Sequence, residues 1–314
     1  MFQGMHYIYE VYKERSFSKA AQNLYISQPS LSAAVRKIEN RIGSPLFDRS
    51  TSPIRLTDCG REYIRCAEKI MDIQNEFESY INGQNELQTG QLSIGASNLF
   101  ASYVLPSCIS HFTRKYPHID IHLAEANSPV LTERLLDGSL DLMIDSEELS
   151  ENICARYPLF TDQVLLAVPE KYLPERQYVP KPLTSADILE NCHKASGTSQ
   201  ICLQVFEHAP FLLLRHGNDT RRCADMLCRQ QSFSPDIILE LDQQATAYHL
   251  ACYGMGIIFV SDTLIRKAPA GADTFFFRLD PVLSVRTVYF YHKKGKYVTR
   301  AMEEFLKTAK KDLS

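Results

Sequence analysis

The clearest helical pattern near the start of the chain lies in the segment Ser30–Ile42. Apolar residues recur there at intervals of four, three and four positions, namely Leu31, Val35, Ile38 and Ile42. This spacing places them in one stripe along a helix of 3.6 residues per turn. Pro29 fits at the helix start, where its missing N–H costs nothing. The opposite side of the predicted helix is polar and cationic, with Arg36 near its centre.

A shorter apolar pattern precedes this helix. Its members share one helical face and are Phe17, Ala20, Ala21 and Leu24, with Ser18 as the predicted N-cap. The small alanines allow two helices to cross closely, and only about four residues separate the two patterns. Together they predict a helix-turn-helix, whose second helix enters the major groove of DNA. A helical hairpin with a solvated polar face is the alternative that periodicity alone leaves open.

A turn and a short alternating segment follow the second helix. Turn-forming residues occupy Ser50–Pro53, and Ile54–Thr57 alternates as a β-strand does. The two segments predict a small β-wing, with Arg49 and Arg55 flanking its tip. Cations in this position would lie along a phosphate backbone.

A heptad pattern then runs from Asp58 onwards. Its members are separated alternately by four and three residues and are Tyr63, Ala67, Ile70, Gln74, Phe77 and Ile81. An apolar seam of this kind predicts a dimerising coiled coil. A helix that packs on its own domain is the alternative. The seam ends in a polar segment bracketed by Gly83 and Gly90, which we interpret as a hinge.

The rest of the chain alternates predicted strands with predicted helices. The first set is QLSIGA, YVLPSCISHFTRKYP, IDIHLAEA, VLTERLLDG and DLMID, a βαβαβ order that predicts a parallel sheet. The second set contains QVLLAVP, PFLLL, a helix over Asp219–Gln230, DIILEL, QATAYHLACYG and GIIFV. The chain closes with TFFFRL, VRTVYFYHKK and a helix over Thr299–Lys310.

Composition limits the class of protein. A chain of 314 residues that is 45% hydrophobic and 23% charged is typical of about two globular domains. It has no apolar run long enough to span a membrane and no features of a signal peptide, so we expect a cytoplasmic location and no membrane partner. Nine irregularly spaced cysteines fit a reducing compartment. Residues 1–60 carry eight Lys or Arg against five Asp or Glu, although the whole chain has a net charge of −3. This asymmetry indicates a basic module on an acidic body.

Several fixed elements within residues 17–60 identify a family. They are the A-A-x-x-L helix, SQPSLS, IE followed by G, LFDR and LTDCG. This run closely resembles the winged helix-turn-helix of LysR-type transcriptional regulators, and the remaining chain has the length and element order of that family. The resemblance implies an N-terminal winged helix-turn-helix, a long linker helix, and an α/β two-lobed effector-binding domain resembling type 2 periplasmic binding proteins. It also implies a regulator rather than an enzyme, with no catalytic residues, metal or cofactor.

The resemblance and the helix geometry together nominate DNA-contacting residues. They are Ser18, Ser27, Gln28, Pro29, Ser30, Ser32, Arg36, Lys37, Arg49 and Arg55. Gln28 can read adenine bidentately, while Arg36, Lys37 and Arg55 are suited to phosphates. The chain departs from the family pattern at Ala33 and Ala34, where many members carry a polar base-reading residue. The expected partners are double-stranded DNA, further copies of the chain in a dimer or tetramer, and RNA polymerase.

We predict four segments. They are a DNA-binding domain at 1–58, a linker helix and hinge at 59–90, one effector-binding lobe at 91–162 plus 265–314, and a second lobe at 163–264. Ligands of open α/β sheets bind beyond the carboxyl ends of the strands. This rule nominates Ser97, Asn98, Asn127, Ser128, Asp145, His216, Gly217, Ala245 and Thr246. The resemblance implies a small effector, with a carboxylate as the expected class; N-capping and turn formation are the alternative roles of these residues.

Three other functions fit the sequence less well. Redox sensing would use Cys223 and Cys228, but on a helix these thiols diverge by about 140°, and the resemblance puts Asp219 where the peroxide-sensing branch has its reactive thiol. Cys192 and Cys202 stay open as a second pair. Metal sensing is disfavoured, because no two cysteines have C-x-x-C spacing. The third alternative is an enzyme or a non-DNA-binding solute receptor built on the two-lobed body. The sequence contains none of the nucleophile-elbow, Walker or dinucleotide-binding motifs of enzymes, and we expect a solute receptor to lack residues 1–90 and to carry an export signal.

Overall fold

The computed structural model describes residues 2–51, 53–84, 90–175, 180–195 and 199–313. The chain separates into two compact units, Met1–Ile81 and Asn82–Ser314. The elements of the first unit are α1 (Met5–Glu14), α2 (Phe17–Asn23), α3 (Gln28–Ile42), β1 (Phe47–Asp48), β2 (Arg55–Leu56) and the start of α4 (Asp58–Gln84). They confirm the predicted helix-turn-helix and the predicted wing.

Capping residues explain where these helices begin and end. The side chain of Ser16, and not that of Ser18 as predicted, accepts the Lys19 N–H and caps α2. A side chain can cap a helix only from the residue that precedes its first turn, and Ser18 already lies inside α2. Ser27 caps α3 in the same way, and α3 ends at Gly43, whose φ of 82° suits glycine.

The core of the first unit closes around the predicted apolar faces. Leu31, Val35 and Ile38 of α3 are buried against Ile8 of α1 and Phe17 of α2. The wing joins this core because β1 and β2 pair antiparallel directly after α3. A close contact then fixes the start of α4: a Cβ on Gly60 would lie 2.0 Å from the carbonyl oxygen of Leu46, so only glycine fits there.

Helix α4 is 27 residues long, about 40 Å. Its first turns pack on the first unit, and Tyr63 and Ala67 lie in that core with exposures of 6% and 0%. These two positions were predicted to belong to a dimer seam, and that prediction is wrong for both because a partner cannot reach them. The predicted hinge overlaps the helix end at Gly83, and residues 85–89 lie outside the described part of the chain.

The second unit is the predicted α/β body. Its strands are β3 (Gly90–Ala96), β4 (Ile119–Glu125), β5 (Leu142–Asp145), β6 (Cys154–Pro169), β7 (Pro210–Leu214), β8 (Asp236–Leu241), β9 (Ile258–Ser261), β10 (Thr274–Arg278) and β11 (Val285–Lys293). Its helices are α5 (Asn98–Tyr103), α6 (Leu105–Lys115), α7 (Ser128–Leu136), α8 (Ser185–Leu189), α9 (Asp219–Gln230), α10 (Gln244–Cys252), α11 (Asp262–Lys267), α12 (Pro281–Ser284) and α13 (Arg300–Leu313).

The sheet topology separates two lobes. In the first lobe β3 pairs parallel with both β4 and β5, as the βαβαβ order predicts, and β5 pairs antiparallel with β11. In the second lobe β7 and β8 are parallel, and β9 and β10 pair with the later half of β6. The long strand β6 is shared, because its earlier half pairs with β11 of the first lobe.

The return crossover lies later in the chain than predicted. Residues 265–279 were assigned to the first lobe, but β10 pairs with Leu165–Pro169 of β6 in the second lobe. The side chains of Phe276 and Phe277 are buried in the two apolar clusters of that lobe. The chain therefore returns to the first lobe between β10 and β11. The segment TFFFRL is apolar throughout, so its pattern predicts a buried strand but not which lobe buries it.

Candidate functional sites: the recognition helix and the interlobe cleft

Helix α3 presents a solvent-exposed polar surface on the side away from its buried stripe. Nine of the ten predicted DNA-contacting residues are exposed, and Ser32 is half-buried. Arg36 and Lys37 form no ion pair with any described residue within 4.0 Å, so their charge is available to an anion. The hydroxyls of Ser27 and Ser30 already hydrogen-bond to each other at 2.7 Å. The Ser27 hydroxyl also accepts the Ser30 N–H and so caps the helix.

Arg49 is anchored to the protein. Its guanidinium pairs with Glu39 at 2.9 Å and lies 4.9 Å from the centre of the Phe17 ring. Glu39 is buried near the end of α3 and also accepts the N–H groups of Leu46 and Phe47. Arg49 thus ties α3 to the wing, and its charge is largely compensated. The sequence pattern did not reveal this role, although a lone Glu among the buried residues of α3 is its signal.

The wing holds Arg55 opposite Asp48 in the register of β1 and β2. Asp48 accepts the N–H of Ser50 at 2.9 Å and also its hydroxyl proton, which lowers the pKa of the carboxyl and tightens the turn. Arg55 is exposed at this position. The wing therefore presents Arg55 to solvent on a backbone fixed by the Asp48 turn.

The later turns of α4 carry exposed apolar side chains. Phe77 is 63% exposed and Ile73 is 64% exposed, and Gln74 between them is also exposed. Ile70 is half-buried, and the side chain of Ile81 lies outside the described residues. Two large apolar side chains one turn apart, Ile73 and Phe77, are exposed together on this helix and indicate an interaction surface.

A small cleft, partly open to solvent, lies between the two lobes of the second unit. Six of the nine predicted effector residues line it, namely Ser97, Asn98, Asn127, Ser128, Asp145 and Gly217. They lie together because β3, β4, β5 and β7 all end at this edge. The lining further includes Ser146, Asn218, Asp219, Thr220, Gln243, Gln244 and Arg286, which were not predicted.

Three predicted effector residues are not among those that line the cleft. His216 is exposed, and its ring lies 3.3 Å from Arg221 and 3.8 Å from Asp225. Thr246 is exposed and Ala245 packs against the apolar cluster of the second lobe. The cleft-facing residues of this segment are Gln243 and Gln244, because α10 begins two residues earlier than Thr246.

The only cation among the cleft-lining residues is Arg286, at the start of β11. Its guanidinium pairs with Asp162 at 2.9 Å and with Asp219 at 2.6 Å, and it lies 3.2 Å from the hydroxyl of Thr220. Asp162 is fully buried and also accepts the hydroxyls of Ser261 and Thr263. The two carboxylates raise the pKa of Arg286 although burial opposes this. A single Arg in a strand of apolar residues is the sequence signal that was missed.

Polar contacts join the two lobes across the cleft. The hydroxyl of Ser146, after β5, lies 2.7 Å from Asp219 at the start of α9. Arg222 of α9 pairs with Glu147 at 2.5 Å and with Asp219. Although burial alone would raise the pKa of Asp219, Arg286, Ser146 and Arg222 together lower it. Asp219 therefore stays ionised and holds the lobes together.

Asp145 is the least compensated charge in the cleft. Its side chain is 2% exposed, and its Oδ1 accepts the N–H groups of Ser146 and Glu147 at 2.7 and 3.0 Å. No described group completes a hydrogen bond to Oδ2. Burial raises the pKa of the carboxyl to about 6, Asp219 adds to this, and the Ser128 hydroxyl and the two N–H groups oppose it.

The two cysteines of α9 lack the features of a reactive pair. All nine are free thiols. Burial raises the pKa of Cys223 to about 12 and that of Cys228 to about 11, so neither forms a thiolate near neutral pH. Cys202 is exposed and its Sγ lies beside Gln204, while Cys192 is half-buried. The described residues contain neither a group of His, Cys, Asp and Glu that could hold a metal ion nor a helix suited to crossing a membrane.

Two family models match consecutive parts of the chain. The model described as a bacterial regulatory helix-turn-helix protein of the lysR family matches residues 2–61, and the LysR substrate binding domain matches residues 85–314. The first match contains α1 to β2 and the second contains the cleft. The two lobes and their crossovers thus lie within the second model.

Individual relatives agree with this assignment. The chain is 28% identical over 311 residues to the HTH-type transcriptional regulator YcgK of Bacillus subtilis, covering 98% of this chain and 94% of the relative. The fold is similar to that of full-length OxyR from Pseudomonas aeruginosa, with a TM-score of 0.68, 21% identity and coverage of 97% and 92%. It is also similar to that of full-length CbnR in complex with its target DNA, with a TM-score of 0.58, 17% identity and coverage of 99% of both chains. The chain therefore belongs to the LysR family of DNA-binding transcriptional regulators, with an N-terminal winged helix-turn-helix and a C-terminal effector-binding domain.

Proposed function

We propose that this regulator binds a dyad-symmetric promoter site through α3 and the wing. The observation that carries the proposal is the exposed face of α3, where Arg36 and Lys37 have no ion-pair partner among the described residues. Gln28 lies in the first turn of α3, where helix-turn-helix proteins contact base edges. A cationic surface around an exposed amide suits a major groove flanked by phosphates.

We further propose that two chains pair through the later turns of α4. Phe77 and Ile73 expose apolar area that a second copy would cover, and the solved complex of CbnR with its target DNA gives the family precedent for DNA binding. Pairing would place two recognition helices about one helical turn of DNA apart. Association of two such dimers into a tetramer, a cytoplasmic location and contact with RNA polymerase at the promoter complete the proposal.

The interlobe cleft is the proposed effector site. Polar side chains from both lobes line it, and Arg286 at the start of β11 supplies a cation. A ligand bound there would change the contacts that Asp219 and Arg222 make with the first lobe. Regulation follows if the effector binds two quaternary states with different affinity, since equal affinity for both shifts nothing.

Selection from random double-stranded DNA by the purified full chain tests the DNA-binding proposal. The expected product is a motif with two inverted half-sites about 10 bp apart, centre to centre. Gln28→Ala should yield a motif that is degenerate at one position of each half-site. Selection of a single unpaired half-site would contradict the dyad, and failure to retain any fragment at low ionic strength would contradict DNA recognition through α3.

A further inference from the structure

The charged residues that line the cleft include more carboxylates than cations. Three charged residues line it, namely Asp145, Asp219 and Arg286. The positive charge of Arg286 is already shared between Asp162 and Asp219. Arg222 at the cleft edge is likewise held by Glu147 and Asp219. A carboxylate effector would thus find no uncompensated cation among these groups.

Asp145 lines the cleft and has one buried carboxylate oxygen that lacks a donor. Oδ2 of Asp145 is covered from solvent and has no partner at full hydrogen-bond geometry among the described residues, although the Ser128 hydroxyl lies near this carboxyl. Its sister oxygen Oδ1 is fixed by two backbone N–H groups, so the side chain cannot turn away to find one. A buried, unsatisfied carboxylate oxygen is costly. A donor from a bound molecule would remove this cost while the carboxyl is ionised.

The N-termini of the helices around the cleft do not form a free anion-binding site. Asn127 caps α7 by accepting the Val130 N–H, and Asn218 caps α9 by accepting the Thr220 N–H. Asp219 then places a carboxylate in the first turn of α9. Backbone N–H groups at a helix start can bind an anion, but some of those groups here already donate to oxygens of this chain.

We propose that the effector carries a protonated amine, which donates to Oδ2 of Asp145. The inference rests on the proposed function, because it assigns a ligand class to the same cleft. The amide and hydroxyl groups of Asn98, Asn127, Ser128 and Gln244 surround the rest of the ligand and accommodate donors or acceptors. Free amines and amino acids share this ammonium chemistry, and the experiment below separates them.

The test is a ligand panel on the purified full-length protein. The panel contains 1,4-diaminobutane, 4-aminobutanoate, succinate and 1,4-butanediol, which are matched in chain length, and the twenty common amino acids. Thermal unfolding identifies binders, and calorimetry gives their Kd. We expect stabilisation by compounds with a protonated amine, and we expect Asp145→Asn to weaken their binding at least about thirtyfold, because it removes the charge from a buried hydrogen bond.

Controls separate failure of this inference from failure of the proposed function. Asp120→Asn removes an exposed carboxylate from β4 of the same lobe and should leave every Kd unchanged. Retained DNA binding and a cooperative thermal transition establish that Asp145→Asn is folded. Binding only of succinate or butanediol, or amine binding that survives Asp145→Asn, overturns the ammonium assignment and leaves the effector cleft in place. Absence of binding by every compound overturns both.

Discussion

The recognition surface and the cleft use charge in opposite ways. On α3 the cations Arg36 and Lys37 are exposed and without an ion-pair partner in the described chain, whereas in the cleft Arg286 is buried between two carboxylates. Exposed charges suit a large polyanion, whose binding releases counterions and weakens with salt. Buried charges suit a small ligand, for which each unpaired group decides which molecule is accepted. The two sites should therefore differ in their response to salt and to pH.

The largest effect is expected at the buried ion pairs. Arg286→Met leaves Asp162 and Asp219 without their main cation and should lower the free energy of unfolding of the second unit by about 3–5 kcal/mol. Urea unfolding followed by circular dichroism measures this. Arg222→Met is the matched control, since its half-exposed side chain also pairs with Asp219, and it should cost less than about 1 kcal/mol. Equal losses of unfolding free energy in the two variants would show that the Arg286 ion pairs stabilise the protein no more than the half-exposed Arg222 pair does.

A second large effect concerns the pairing of two recognition surfaces. Phe77→Ala removes an exposed aromatic ring from each copy of the proposed symmetric dimer, so its effect counts twice. The dimer should weaken by about 3 kcal/mol, or roughly a hundredfold in Kd. Sedimentation equilibrium measures the change, with Lys69→Ala on the same helix as the control. An unchanged Kd would exclude the later turns of α4 from the dimer interface.

The same contrast explains how much could be predicted from the sequence. Periodicity located α3 and α9 closely, because each has one apolar face and a capping residue that its local sequence supplies. It failed for Tyr63 and Ala67, since a heptad seam and a helix packed on its own domain show the same spacing. The strand-end rule found Asp145 but not Arg286. Arg286 lies at the start of β11 and not at the carboxyl end of a strand, and the position of β11 depends on where the chain returns from the second lobe.

Asp145 allows a test of the cleft by pH alone. Its folded-state pKa is raised from 3.8 to about 6, so the folded state is favoured while the carboxyl is protonated and loses that advantage as the pH rises through 6. The shift corresponds to about 3 kcal/mol at pH 8. Asp145→Asn removes this cost. The free energy of unfolding of the variant, relative to that of the natural chain, should therefore increase between pH 4 and pH 8.

Denaturant unfolding at several pH values measures this difference, with Asp120→Asn as the exposed control. The groups that face Asp145 from neighbouring elements include Asp219 of α9, which pairs with Arg286 and stays ionised over this range, and Tyr291 of β11, whose pKa burial raises to about 12. Neither titrates near pH 6. A difference between variant and natural chain that stays constant with pH would mean that Asp145 is not desolvated in the free protein.

The smallest effects are expected at single DNA contacts. They distinguish residues that contact phosphates from residues that recognise bases. Arg55→Ala should reduce the slope of log Kd against log salt by about 0.9, since one phosphate contact is lost, and should weaken all sequences alike. Gln28→Ala should leave that slope unchanged and cost about 1–3 kcal/mol of discrimination against the wrong base. Lys311→Ala, an exposed cation of α13, is the control that should change neither quantity. If Arg55→Ala left the slope as it is, the wing would not lie along the backbone, and the exposed charge of the first unit would act through α3 alone.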